Sequence, residues 1–210
     1  MYPINLSRLY RDLIGNVTFE DPTTVYIEKL TELKVGEGTV IEPCIKLTGK
    51  IKIGKNCRIF FGFKGNNVEC GDNCELGGMI FDSKFGDNCR IGGFAEIKRS
   101  AFGNEVNCLH HCYIGDANVG DGVNIGAGVI TANYDGEKKN KTIIKSGAFI
   151  GVNVNLIAPI FIGEEALIAA GSTITKNVFA HDLAISRAPQ TTQENFWQKT
   201  GKIWQKIKPY

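Results

Sequence analysis

The chain has 210 residues, 43% of them hydrophobic and 22% charged, with a formal net charge of +2. That balance is ordinary for a globular protein; it is too weakly basic, and lacks the basic run interleaved with aromatics, to argue for nucleic-acid binding. No apolar run is long enough to span a bilayer, and the N-terminus has neither the apolar core nor the cleavage site of a signal peptide, so no membrane insertion and a cytoplasmic location are expected.

In chain order, Leu6, Leu9, Tyr10 and Leu13 form one helical stripe that Gly15-Asn16 ends. Residues 1–20 are therefore expected to be a helical extension laid across the end of the main domain. Asp21-Pro22 signals a turn or helix start, yet Thr23, Thr24, Val25, Tyr26 and Ile27 favour a strand. From Val35 a six-residue period takes over: Val35, Ile41, Leu47, Ile53 and Ile59, and later Ile144, Ile150, Leu156, Ile162, Ile168 and Ile174. Neither a helix nor an ordinary strand repeats every six residues. A parallel β-helix with three short faces per coil does, with each aliphatic side chain stacked on its counterpart one coil away.

Gly follows several of these residues, at Gly36, Gly54, Gly151 and Gly163, where a corner leaves no room for a side chain or requires positive φ. Pro43 and Pro159 are tolerable if they also lie at corners. In the middle the period shortens to 17 per coil: Phe85, Phe102 and Val119; Ile91, Cys108 and Ile125; Ile97, Ile114 and Thr131. That register predicts Asn107 under Asn124, as the start of an Asn ladder, and Glu96 beside Tyr113.

The period breaks at residues 133–141, a polar stretch with an Asp135-Gly136 turn signal, expected to be a loop projecting from the binding face. The β-helix is expected over 21–180 and a C-terminal arm over 181–210, with Phe196, Trp197, Ile203 and Trp204 available for burial. The flat faces of such a prism need covering, which points to a homotrimer. Of the seven Cys, several replace the aliphatic residue of the repeat, so a packing role is preferred to zinc binding or a disulfide framework.

Chemistry belongs where the repeat breaks and His, Tyr, Asn and Lys collect. Five segments stand out: His110-x-x-Tyr113-Ile114-Gly115-Asp116, Val123 to Gly128, Asn133-Tyr134-Asp135-Gly136, Lys141 to Ile144, and Ala184-Ile185-Ser186-Arg187-x-Pro189-Gln190. With Asp21-Pro22-x-Thr24-x-Tyr26-Ile27, they resemble the acetyltransferase domain of bacterial bifunctional UDP-N-acetylglucosamine pyrophosphorylase/glucosamine-1-phosphate N-acetyltransferases, over roughly residues 21–190. The resemblance implies an all-β, left-handed parallel β-helix, a trimer, and N-acetylation of glucosamine 1-phosphate by acetyl-CoA. No fingerprint of the pyrophosphorylase half occurs, so a separate nucleotidyltransferase is expected to act next in the pathway. No metal is expected for acetyl transfer.

Residue by residue, the resemblance makes His110 the general base and Glu96 its acidic partner. Lys98, Tyr113, Asn124 and Lys139 would contact the sugar 1-phosphate, and Asn133 and Tyr134 the acetyl group and amino sugar. Ala127 and Ala170 would line the path of the pantetheine, and Arg187 would pair with the CoA phosphate. The backbone of Gly126-Ala127-Gly128 is the expected oxyanion donor. Three positions depart from the pattern: Ile80 where the register expects a phosphate-binding Arg, which Lys84, Arg90 or Arg99 could replace; Val152 for Ser; and Gly93 for Asn. The rivals are a different, possibly nucleotide-linked, amino sugar as acceptor, an inactive scaffold, and a zinc hydratase of the gamma carbonic anhydrase type. With three His in total, two of them adjacent, the chain is poorly supplied for the last.

Overall fold

The computed structural model describes residues 16–200. The helix expected near the N-terminus lies almost wholly outside them, as do Ile203 and Trp204 of the arm. Each coil carries three short strands, one per face. The first face is a ten-stranded sheet running from Thr18–Phe19, which pairs with Val40–Ile41, to Leu183–Ala184, which pairs with Leu167–Ile168. The second and third faces merge into one sheet, because the long strands Lys46–Ile53, Lys64–Cys70 and Met79–Phe85 bend over a corner and serve both. Every named pair is parallel and one coil apart, giving a parallel β-helix consistent with the left-handed fold expected.

The stacked aliphatics are the core. Ile41, Ile59, Leu76, Ile91 and Ile150 are buried in one column of the first face. On the other faces Ile97 pairs with Ile114, and the rings of Phe85 and Phe102 stack at 4.8 Å. Both expected pairings hold: Asn107 with Asn124 and Glu96 with Tyr113. The Asn107 amide, however, donates to the Glu105 carbonyl at 3.5 Å rather than to Asn124. A side-chain ladder exists at a different corner, joining the third face to the first. There the backbone N–H groups of Lys55, Asp72, Asp87 and Asn104 donate to the side-chain oxygens of Asp72, Asp87, Asn104 and Asp121 in turn, at 2.6–2.9 Å. Corner donors that no strand could satisfy are thus bonded by the coil above.

The glycines divide two roles the sequence left open. Gly36, Gly54, Gly151 and Gly163 do not use positive φ; a Cβ there would meet the backbone of the next coil, 2.6 Å from the Ala170 nitrogen in the case of Gly151. Positive φ falls two residues after such corner glycines, at Asn56, Asn73, Asn88 and Glu105 among others. The strand expected over 23–27 is shorter: Pro22–Thr24 form a 3-10 turn, because the Asp21 carboxylate accepts from the Thr23 N–H at 3.0 Å and the Thr23 hydroxyl at 2.7 Å. Only Tyr26–Ile27 are left to pair.

The crowding at these corners makes a sharp prediction. A Cβ on Gly92 would collide with the Leu109 carbonyl, whereas one on Gly93 would meet nothing within 4 Å. Gly92→Ala is expected to destabilise the protein by roughly 1–3 kcal/mol. Its neighbour Gly93→Ala should be neutral or slightly stabilising through the unfolded chain. Denaturant midpoints of the two variants check this.

Candidate functional site

His110 stands on the corner between the first face (Asn107–Cys108) and the second (Cys112–Gly115), exposed to solvent. It opens onto a groove of about 400 Å³ that runs across three coils, past Asn124, Ala127, Val152 and Ala170. The groove exists because small residues hold that corner: Gly126-Ala127, Gly151, then Ala169-Ala170, walled by Leu109, Phe149 and Leu167. His110, Asn124, Ala127 and Ala170 are thus brought together. Arg187 is exposed, with its Nη1 donating to the Ala170 carbonyl at 3.1 Å, which fixes a guanidinium beside the groove. In the Gly126-Ala127-Gly128 corner, two of the three expected oxyanion donors are already used. Gly126 N–H bonds the Ile150 carbonyl at 2.9 Å and Gly128 N–H the His111 carbonyl at 2.7 Å. Of the three, Ala127 N–H alone has no acceptor among the described residues.

A second cluster lies on the outward side of the second face. Lys98 Nζ sits 2.5 Å from Glu96 Oε1, so Glu96 is engaged by Lys98, and no hydrogen bond joins it to His110. One coil on, Asp116 is the organising group. Its carboxylate receives the Arg99 fork at 2.7 and 2.8 Å and the side-chain amide of buried Asn133 at 2.5 Å. The hydrogen bond from Arg99 first, then that from Asn133 and the charge of Lys139, hold this carboxyl below its usual range against the opposing effect of burial. Gly115 leaves room for these side chains: a Cβ would lie 2.6 Å from the Asn133 amide nitrogen and 2.7 Å from the Tyr113 hydroxyl, so both would have to shift.

Asn133 opens the loop, and Tyr134 pairs with Lys139 across it. The Asp135 carboxylate ties the turn, accepting from the N–H groups of Lys138 (2.8 Å) and Glu137 (2.9 Å) and from the Asn140 amide (2.8 Å). Those bonds pull its pKa down to about 2. Tyr134 and Lys139 are exposed, and neither lines the His110 groove.

The assignment of Ile80 to an acceptor-binding position is corrected. Ile80 is fully buried and pairs with Ile97, so any side chain there points into the core. A one-residue slip of register exchanges the two faces of a strand. The outward residue beside Lys98 is Phe81, and the ammonium groups of Lys98 and Lys64 lie 5.3 and 5.6 Å from its ring centroid. Of the three cations considered as replacements, Lys84 pairs with Glu69 at 3.5 Å and Arg90 with Glu75 at 3.0 Å, leaving Arg99 as the one within this cluster. Lys64, Phe81 and the role of Asp116 were missed by sequence reasoning; the 17-residue period that relates Arg99 to Asp116 was the available signal for the last.

Replacing Asp116 by Ala should strand the Arg99 and Asn133 donors and cost roughly 1–3 kcal/mol. Because the folded pKa is depressed, this contribution is present above the ordinary carboxylate range, near pH ~4, and is lost as pH falls through the folded value. Denaturant titrations of wild type and variant at several pH values should therefore converge on acidification.

No family model matches the chain. Among curated proteins it is 44% identical over 199 residues to the bifunctional protein GlmU of Carboxydothermus hydrogenoformans, covering 86% of this chain and 44% of that one. It is 41% identical over 209 residues to GlmU of Thermoanaerobacter pseudethanolicus, covering 90% and 45%. The chain thus spans less than half the length of these relatives. Among solved structures it resembles an Arabidopsis UDP-N-acetylglucosamine acyltransferase with a TM-score of 0.57 at 15% identity, covering 80% of this chain and 69% of that one, a likeness of fold alone.

Proposed function

Since the chain is homologous to the acetyltransferase domain of the bifunctional GlmU proteins, within the hexapeptide-repeat acyltransferases, we propose that it transfers the acetyl group of acetyl-CoA to the amine of glucosamine 1-phosphate. The observation that carries this reading is the position of His110 at the mouth of a groove floored by Ala127 and Ala170, with Arg187 beside it. A pantetheine arm is long, thin and largely apolar, and suits a groove lined by small residues; the guanidinium suits a phosphate at its far end. An ammonium cannot attack a thioester. His110 removes a proton from the acceptor amine, the freed lone pair attacks the thioester carbonyl, and the Ala127 N–H is the donor available to the oxyanion. Collapse expels the CoA thiolate, which takes up the second proton shed by the acceptor nitrogen, and the His110 imidazolium returns its own to solvent.

Glu96, Lys98, Tyr113, Asn133, Tyr134 and Lys139 hold the acceptor in this reading, with Lys98 and Lys64 supplying positive charge to its anionic group. Within one chain the loop residues do not line the groove, and a homotrimer in which a neighbouring copy closes the site supplies that juxtaposition. A nucleotide-linked amino sugar is the second reading, favoured by one observation: an aromatic ring flanked by two ammonium groups, Phe81 between Lys64 and Lys98, offers a stacking surface as well as charge.

Thiol release from acetyl-CoA, measured across free, 1-phosphorylated and nucleotide-linked amino sugars, separates the readings. Turnover with glucosamine 1-phosphate is expected, and its absence with every acceptor removes the enzyme assignment. His110→Ala should lower kcat by roughly 10²–10⁴-fold. Arg187→Ala should instead raise the KM for acetyl-CoA, and Lys98→Ala that of the anionic acceptor.

A further inference from the structure

Six of the seven cysteines are buried and none is paired. Three of them are explained by one column at the corner between the third and first faces. Thr39, Cys57, Cys74 and Cys89 occupy it in successive coils, and each donates to a glycine carbonyl of the next coil: the Thr39 hydroxyl to Gly54 at 2.9 Å, then the thiols to Gly71, Gly86 and Gly103 at 3.3, 3.1 and 3.0 Å. A small side chain with a weak donor is what that corner accepts.

Cys70 belongs to another column. It closes the third face, below Phe85 and, further on, Phe102. Ile53, Val119 and Ile144 fill the same place elsewhere, all bulky and apolar. Cys70 departs from that rule, and its sulfur meets those of Cys57 and Cys74. The three Sγ atoms lie within 4.8 Å of one another, and the residues are 2–3% exposed or fully buried. The chain arrives at this point twice. Cys57 opens a coil, Cys70 ends it, and Cys74 opens the next directly above Cys57.

We propose that Cys57, Cys70 and Cys74 form a binding site for one soft, thiophilic cation, and that monovalent copper is the ion it suits. A metal–sulfur bond of about 2.3 Å places the sulfurs of a three-coordinate site about 4 Å apart, so the observed cluster closes on an ion with a small side-chain adjustment. An all-sulfur set selects soft ions. Zinc takes four ligands in structural sites, and among the described residues no fourth His, Cys, Asp or Glu joins the group. Binding displaces the thiol–carbonyl hydrogen bonds of Cys57 and Cys74, which are weak donors, and each thiol that ligates releases its proton to solvent. The site lies on the corner between the third and first faces, whereas His110 lies between the first and second. It is a clamp across two coils, independent of acetyl transfer.

The test uses the full chain purified anaerobically from cells grown with added copper, with metal content by plasma mass spectrometry and the ligand shell by X-ray absorption. About one copper per chain in an all-sulfur shell is expected, falling by roughly tenfold or more in Cys70→Ser, which keeps the volume, and in Cys70→Val, which restores the apolar rule. Cys44→Ser, at the exposed cysteine, should change nothing. Copper retained in both Cys70 variants, copper lost with Cys44, or no copper in the wild type overturns the site. Circular dichroism confirms that each variant is folded.

Discussion

Coil-to-coil hydrogen bonding is the constraint from which the rest of this molecule follows. Each strand is two to eight residues long and could not persist alone; it is held because the coils above and below present N–H and C=O groups in the same parallel register. That register fixes where every side chain points. Aliphatics stack inward, the outward columns become continuous strips, and any residue whose bulk would separate two coils is excluded. The glycines set against the next coil's backbone and the Asp72–Asp87–Asn104–Asp121 ladder are two answers to one requirement, that the corners must neither clash nor leave donors unpaired.

The candidate site is a local relaxation of this regime. At the corner after the first face, small residues in three successive coils leave the groove beside His110. At the following corner the chain departs altogether as the loop of residues 133–141. Asp116 anchors it through Asn133, and Asp135 shapes its turn. A scaffold this regular has little freedom to build a site by moving its strands, so it uses omitted side chains and one inserted loop.

How much of this could be read from the sequence follows from the same geometry. Columns related by a fixed period were legible: the aliphatic core, the Glu96–Tyr113 and Asn107–Asn124 pairs, and the resemblance carried by the segments around His110 and Asn133. What failed was reading single residues where the period changes. Ile80 was taken for the outward residue, whereas the outward residue is its neighbour Phe81, and one residue is the difference between core and solvent. The expected ladder was sought on a strand, whereas the ladder that forms lies at a corner, where backbone donors lack strand partners. The role of Asp116 was hidden because its partners, Arg99 and Asn133, are each 17 residues away in opposite directions and meet only when three coils are stacked.

The Ile80 correction also changes what the proposed acceptor site would ask of the chain. With aliphatic Ile80 outward at that place, nothing on that coil would hold a cation against an anionic acceptor, and the acceptor assignment would weaken. With Phe81 outward, the ring instead holds two ammonium groups from the coils on either side, since a cation above an aromatic face is favoured electrostatically. Positive charge is therefore retained, that of Lys98 shared with Glu96, but spread over two lysines on flexible stems rather than one rigid fork. Lysine serves a phosphate as a point charge, without the bidentate geometry that discriminates one phosphate position from another. Such a surface would select for negative charge more strongly than for its exact placement, which is why acceptors differing in the group carried at the anomeric carbon are the informative comparison.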